Sequence, residues 1–440
     1  IILSTNMSKF RADALKHFFW AILIFATAAI FRLSVMDLME FKTDEAKSLD
    51  AAVQFYKSPY IAQTTLPSST GVYNMPLFFY LLTIIAFFSK DPLVISSLIA
   101  FINSILVMIF YLIVKRYYGN FVGVCASFLM ATSPWMILYS RKIWGPDLIL
   151  LFAIPAFYFI HRLIMDKKPK AIFGLSLCLM LLFQVHFSGV TLALASILTL
   201  IIFRVQISRK WLTLGIMLGS ITLIPYLTLE SFVCVDCMPT IEKVFDSSNF
   251  FRWSEIISGA NFEDVLGDDY TAFLDQYAFL KITNLLFIFE SFIVIWGIGC
   301  IFKNKKLHFL LIYLITAPVV AFLTFTPARM YYFLSASPFI ILIYALGINW
   351  FFRLEGIKAH LRGVLGWGTI TIIIFINIIF EVSFYKFLFQ KQTIEGDYGD
   401  IYKVTNTLVE DKLSQVKDQP NYDFIRSEFF VKLFTSSGGY

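Results

Sequence analysis

Apolar runs, each about the length that crosses a bilayer, recur along most of this chain, with short clusters of Lys and Arg between them. Reading the runs between charge clusters predicts about eleven helices. They cover residues 17–36, 93–114, 121–138, 147–164, 171–187, 191–203, 211–229, 282–302, 307–325, 331–350 and 363–385. The runs are apolar on every face, which excludes the alternating pattern of an outer-membrane barrel. One set of connections is short and basic, for example Lys115-Arg116, Lys167-Lys168 and Lys303 with Lys305-Lys306. The alternate set is longer and carries Asp44, Glu45, Asp50, Asp236, Asp268 and Asp269. The excess of cations on cytoplasmic loops then puts the N-terminus in the cytoplasm and the C-terminus outside. The expected fold class is an all-α polytopic membrane protein.

One apolar run is left over. Residues 75–88 are too few to cross comfortably, and counting them as a span would move Lys115-Arg116 outside. They read as a juxtamembrane helix at the outer interface, with Pro76 in its first turn. The expected organisation is a transmembrane module over residues 7–385. Within it lie a first outer loop at 37–92, with juxtamembrane helices, and a second at 230–281. A small exofacial segment follows at 386–440. Met7-Ser-Lys-Phe-Arg reads as a start, and the Ser-Ser-Gly-Gly-Tyr end reads as a cut. The polar tail has a candidate amphipathic helix at 398–413. No internal repeat of the inverted-transporter kind is legible.

Composition agrees with the pattern. Of 440 residues, 58% are hydrophobic and 15% charged, against about 25% charged in a soluble domain. With 49 Phe the chain is neither disordered nor collagenous, and five Cys give no disulfide framework. The first apolar stretch lacks a small-residue cleavage site and reads as a retained span. No Gly-rich nucleotide loop lies on the cytoplasmic side, and nothing points to nucleic acid. The outer loops hold no Asn-x-Ser/Thr site, in keeping with a bacterial plasma membrane.

Four places outside could do chemistry. Asp44-Glu45 follows the first span: one carboxylate can take a proton while the other orients it, and each raises the other's proton affinity. The alternative is a solvated helix start capped by Thr43. In Tyr139-Ser-Arg-Lys-Ile-Trp-Gly-Pro-Asp147, Arg141 and Lys142 could grip a phosphate at headgroup depth while Trp144 anchors and Asp147 caps the next span. Arg329 and Tyr332 add a cation and a hydroxyl in a late outer turn, and His186 ends the fifth span. A headgroup anchor and a satisfied core histidine are the ordinary readings of those two. Arg32, Glu290 and Glu381 lie within spans, where each needs a partner or a wet cavity. Cys234-Val-Asp-Cys237 reads as a loop staple.

The order of Asp44-Glu45, Ser140-Arg141…Asp147 and Arg329…Tyr332…Pro338 resembles membrane glycosyltransferases of the GT-C superfamily. The likeness is to the protein O-mannosyltransferase and aminoarabinose transferase branch (glycosyltransferase family 39-like). Asn74-Met-Pro-Leu-Phe-Phe-Tyr80 and Gln184-Val-His186 are similar to that branch too, and the likeness runs over about residues 7–350. It implies a polyprenyl-phosphate sugar donor, a site on the non-cytoplasmic face and inverting displacement onto an acceptor hydroxyl. Asp44 would be the general base beside Glu45. Arg141, Lys142, Arg329, Tyr332 and His186 would hold the donor phosphate, and Asp147 would orient the site. A divalent cation, if one is used, would draw on Asp44, Asp147 and His186. Two departures are visible: His186 stands in place of the aminoarabinose branch's Lys-Gly pattern, and the large lumenal insertion of eukaryotic mannosyltransferases is absent. The sugar and the acceptor (protein, lipid or envelope polymer) are left open. A flippase of lipid-linked saccharides is the competing class, expected to line a midplane path with ionisable groups, Glu290 among them. A membrane scaffold with an exofacial tail is the third.

Overall fold

The computed structural model describes residues 2–68, 71–230, 232, 252–324 and 329–436. Those residues are almost wholly helical, with strand pairing confined to isolated bridges. In chain order the helices are α1 (Ile2–Leu33), α2 (Thr43–Gln54), α3 (Leu77–Phe88), α4 (Pro92–Tyr118), α5 (Asn120–Thr132) and α6 (Pro134–Leu138). Then come α7 (Ile149–Ile164), α8 (Ile172–Val185), α9 (Gly189–Ile202), α10 (Arg209–Gly219), α11 (Glu263–Leu266) and α12 (Asp269–Gln276). The last six are α13 (Ile282–Phe302), α14 (Phe309–Leu323), α15 (Ser337–Trp350), α16 (Ala359–Gln390), α17 (Tyr402–Leu413) and α18 (Tyr422–Ser436).

Seven helical stretches among the described residues are long and apolar enough to cross a bilayer. They are Ala14–Leu33, Pro92–Tyr118, Gly145–Ile164, Ala278–Phe302, Lys305–Leu323, Met330–Arg353 and Ala359–Gln390. Each coincides with a predicted span. Of the other four predicted spans, 171–187 and 191–203 are single shorter apolar helices, whereas 121–138 and 211–229 are broken, so hydropathy overstated the continuity of those two. The 121–138 run divides at Ser133, because Pro134 has no N–H to carry the ladder onward and favours a fresh start. Ser133 caps that start by accepting from the Met136 N–H at 3.1 Å. The carbonyls freed at the end of α5 go to Arg32, fully buried in α1, which donates to Ala131 (3.0 Å) and Met130 (3.1 Å) and also to Met136 in the last turn of α6 (3.3 Å). The 211–229 run ends as a helix at Gly219 and continues as 3-10 turns.

Helix α15 is the centre of the bundle, buried from Ser337 to Ile348. It meets α13 at two glycines: a Cβ on Gly347 would lie 2.1 Å from the Ile293 carbonyl oxygen, and one on Gly297 would lie 2.3 Å from that of Ile343. The connection between α1 and α4 holds two helices, α2 and α3. Thr43 is the first residue of α2 and Lys42 its cap, so the expected Thr43 cap is corrected. The Glu45 carboxylate reaches back to accept the Lys42 backbone N–H at 3.0 Å. The tail, so different in composition, packs α18 on the back of α2.

Candidate functional site

A cavity of about 530 Å³ opens between the start of α2, the paired stretches 65–68 and 71–74, the 144–146 turn, the α8–α9 junction, α14 and the Tyr331-Tyr332 turn. Its lining divides by chemistry. Asp44, Ser48, Asn74, His186 and Ser188 are polar, whereas Phe187, Val190, Ala317, Val320 and Ala321 form an apolar wall. These two stretches close one side, paired through Ser68 N–H to Val72 O (2.8 Å) and Thr65 N–H to Asn74 O (2.9 Å).

His186 follows the end of α8. Its Nδ1 accepts the Ser188 backbone N–H at 3.2 Å and lies 2.8 Å from Ser188 Oγ. A ring nitrogen that accepts carries no proton, so the neutral imidazole holds its proton on Nε2 as a donor. The ring packs against Tyr331 (5.8 Å between centroids) and Tyr332 (6.1 Å), whose hydroxyls are 3.2 Å apart, and Trp144 stacks edge-on to Tyr331 at 5.0 Å.

Asp44 sits at the N-terminal end of α2 with its side chain open to the cavity. The enclosing protein raises its pKa above the ordinary carboxylate value, against the pull of Lys42, Lys47 and Lys142. Behind it lies a buried ionic cluster. Glu40 accepts from Lys142 at 2.6 Å and from Lys42 at 2.7 Å, and Lys142 is 4.0 Å from Glu45. Burial opposes ionisation of Glu40, yet the two ammonium groups hold its pKa below the usual value. Glu45 is pushed up to about 7, chiefly by burial and then by the Glu40 charge.

The sequence candidates thus divide. Asp44, His186 and Tyr332 line one cavity; Glu45, Lys142 and Asp147 stand behind its wall. The Asp147 carboxylate accepts the Lys142 N–H at 3.1 Å, and the N-cap of α7 is Leu148, which corrects the expected capping role. Arg141 is turned away from the cavity. It donates to the carbonyls of Phe31 (3.1 Å), Ser34 (2.7 Å) and Val35 (3.0 Å) and to the Tyr385 hydroxyl, binding the left-handed turn at Val35 (φ 45°) that ends α1. Arg329 pairs with Asp397 at 2.7 Å and Asp264 at 3.4 Å. Among the described residues no Lys or Arg lines the cavity. Glu290 and Glu381 are buried away from it, and Cys234 and Cys237 fall outside the described residues. A divalent cation finds no fitting donor set among the described residues: Asp147 is walled off from Asp44 and His186, and no three His, Cys, Asp or Glu side chains gather at one point.

Sequence reasoning missed Glu40 and the pairing of residues 65–68 with 71–74. Glu40-Phe-Lys42 was visible as a charge pair just past a span; its pairing with Lys142, far along the chain, was not.

Residues 73–228 match the family described as dolichyl-phosphate-mannose-protein mannosyltransferase. No curated protein matches the chain. Solved structures with similar folds include ArnT from Cupriavidus metallidurans bound to undecaprenyl phosphate. Its TM-score is 0.56 at 9% identity, over 95% of this chain and 88% of that one. The same protein in the apo state gives 0.57 at 10% identity, over 94% and 84%. The Archaeoglobus fulgidus oligosaccharyltransferase, crystallised with Zn and sulfate, gives 0.54 at 15% identity over 94% of this chain, which spans 57% of that enzyme's length. Over residues 73–228 the chain is thus similar to that mannosyltransferase family, and over most of its length its fold is similar to those of ArnT and the archaeal oligosaccharyltransferase.

Proposed function

We propose that this chain is a membrane glycosyltransferase that moves a sugar from a polyprenyl-phosphate donor to an acceptor hydroxyl on the non-cytoplasmic face, with inversion. One observation carries the reading: a carboxylate, a proton-bearing imidazole nitrogen and two phenols share a cavity that is also lined by apolar side chains. A prenyl tail suits the apolar wall, and the phosphate then meets His186 and Tyr332. The likeness to ArnT, solved with undecaprenyl phosphate, supports that donor class. The charge asymmetry of the loops supports an exofacial site with a cytoplasmic N-terminus.

In the proposed step the acceptor oxygen attacks the anomeric carbon from the face opposite the phosphate. Asp44 takes the hydroxyl proton as the new C–O bond forms. The bond from the anomeric carbon to the phosphate oxygen breaks, and its electron pair stays on the phosphate. His186 Nε2–H and the Tyr332 hydroxyl stabilise that charge by donation. Lys142, 4.3 Å over the Trp144 ring and paired with Glu40, and Arg329, paired with Asp397 beside the Tyr331 turn, hold the aromatic wall in place. Glu45 and Asp147 hold Lys142 in place. The raised pKa of Asp44 makes it a stronger base than an ordinary carboxylate.

The test uses the full chain in nanodiscs with polyprenyl-phosphate-linked radiolabelled hexoses and a membrane acceptor fraction. Labelled product is expected, and Asp44→Asn should lower turnover about 10²–10⁴-fold while donor still binds. Full activity of Asp44→Asn, or movement of labelled lipid across liposomes with no product, would overturn the reading.

A further inference from the structure

Composition sets the chain beyond α16 apart, yet its contacts make it part of the site. Phe41, three residues before Asp44, is fully buried, and its aromatic neighbours all come from the tail. They are Phe430 at 4.9 Å, Tyr402 at 5.4 Å and Phe434 at 6.3 Å. The strand-like stretch that leads into α2 is paired with the tail by backbone: Phe41 N–H to Asp400 O at 3.0 Å and Tyr402 N–H to Met39 O at 2.9 Å. Further along α2, Asp50 accepts from Ser427 Oγ at 2.8 Å, and Gln54 donates to the Phe424 carbonyl at 3.3 Å. Both ends of α2 are therefore held by residues hundreds of positions away.

Arg426 joins these contacts to the bundle. It is buried in α18 and reaches Asp91 at 2.9 Å, the N-cap of α4, together with Asn406 at 2.7 Å and the Tyr402 hydroxyl at 3.0 Å. One guanidinium so fixes α18 and α17 to a membrane-spanning helix. The same tail reaches the other side of the cavity: Asp397 pairs with Arg329, two residues before Tyr331, and its carbonyl accepts from Lys42, two residues before Asp44.

An isolated helix of 12 residues is marginal in water, so α2 owes its order to what packs on it. We propose that the tail is a brace of the site, and that Arg426 is the positioning residue that holds α2 so that Asp44 faces the cavity. The inference rests on the role given to Asp44 above. A misplacement of about 1 Å at a reacting group can cost about 10²-fold in rate, which sets the expected scale.

The experiment compares the full wild-type chain in nanodiscs with Arg426→Ala, Arg426→Lys and, as a control on the exposed face of α17, Lys412→Ala. Amide exchange is read peptide by peptide without substrate, and turnover, donor KM and the pH profile are read with polyprenyl-phosphate-linked hexose. Arg426→Ala should speed exchange in residues 43–54 by about tenfold while α5 and α15 stay protected. Turnover should fall by about 10–100-fold with donor KM within about threefold, and the acid limb of the profile should move. Arg426→Lys should recover most of both, and Lys412→Ala should match wild type. Wild-type exchange and turnover in Arg426→Ala would overturn the inference. So would a rise in exchange across α5 and α15 as well, which would make Arg426 a general folding residue. If exchange in α2 rises as expected but the wild-type chain makes no product, the brace stands and the transferase reading falls.

Discussion

Replacing Glu40 by Gln removes the one carboxylate that two lysines share. In the folded chain Lys142 is 2.6 Å and Lys42 2.7 Å from Glu40, and the next acid, Glu45, is 4.0 Å from Lys142. Glu40 and Lys142 are both buried, so water cannot replace the lost partner. Breaking a buried pair by removing one member costs about 3–5 kcal/mol, because a desolvated charge is left behind. That is roughly two to four decades in the folding equilibrium at about 1.4 kcal/mol per decade. The assay is thermal and denaturant unfolding in one detergent for Glu40→Gln, Lys142→Met and the double variant. The single Glu40→Gln change should cost the full amount, and adding Lys142→Met should recover much of it, since an apolar side chain in place of the stranded ammonium needs no counter-charge. Acid should act in the same sense. A carboxylate whose folded pKa lies below its ordinary value stabilises at neutral pH, and that contribution is lost only as pH falls through the lowered value. A loss below about 1 kcal/mol in Glu40→Gln, or a double variant no better than the single, would refute the reasoning, for the pair would then be behaving as a solvated surface ion pair.

Other measurements follow from the same geometry. With a raised Asp44 pKa, the acid limb of turnover should lie above the usual carboxylate range, and Asp44→Glu should retain part of it. Glu45 resists ionisation up to about pH 7, so unfolding experiments should show stability falling as pH rises from about 4.5 to about 7, and Glu45→Gln should flatten that slope. Arg141→Ala should lower the unfolding midpoint more than it weakens donor binding, because three carbonyls at the end of α1 lose their donor; a donor KM rise with unchanged stability would count against this. Gly347→Ala should destabilise by about 1–3 kcal/mol, since its methyl group meets backbone at Ile293 and cannot be relieved by a rotamer change.

Much of the architecture was legible because the bilayer imposes a coarse rule. A chain that must satisfy its backbone in hydrocarbon forms helices, and their length shows in the apolar runs. Where hydropathy failed, as at 121–138 and 211–229, the cause was local: Pro134 starts a new helix within one run, and the other breaks after Gly219. Arg32 was recognisable as a residue that needed partners, but the partners were backbone carbonyls at the ends of α5 and α6, on either side of the break at Pro134, which no pattern of charges could reveal.

At the site the division runs along the same line. Residue type marked Asp44, His186 and Tyr332, because ionisable and phenolic groups at the edge of hydrocarbon are costly and stand out. It marked Arg141 for the same reason, although that guanidinium spends its donors on the turn after α1.

By itself, then, the sequence determined that this is a helical membrane protein and which polar groups need explaining, since these follow from transfer of each side chain between water and lipid. Only the tertiary structure decided which of those groups meet. Glu40 finds Lys142, and α18 finds α2, through contacts between residues far apart in the chain, and such contacts depend on how helices pack rather than on how each one is composed.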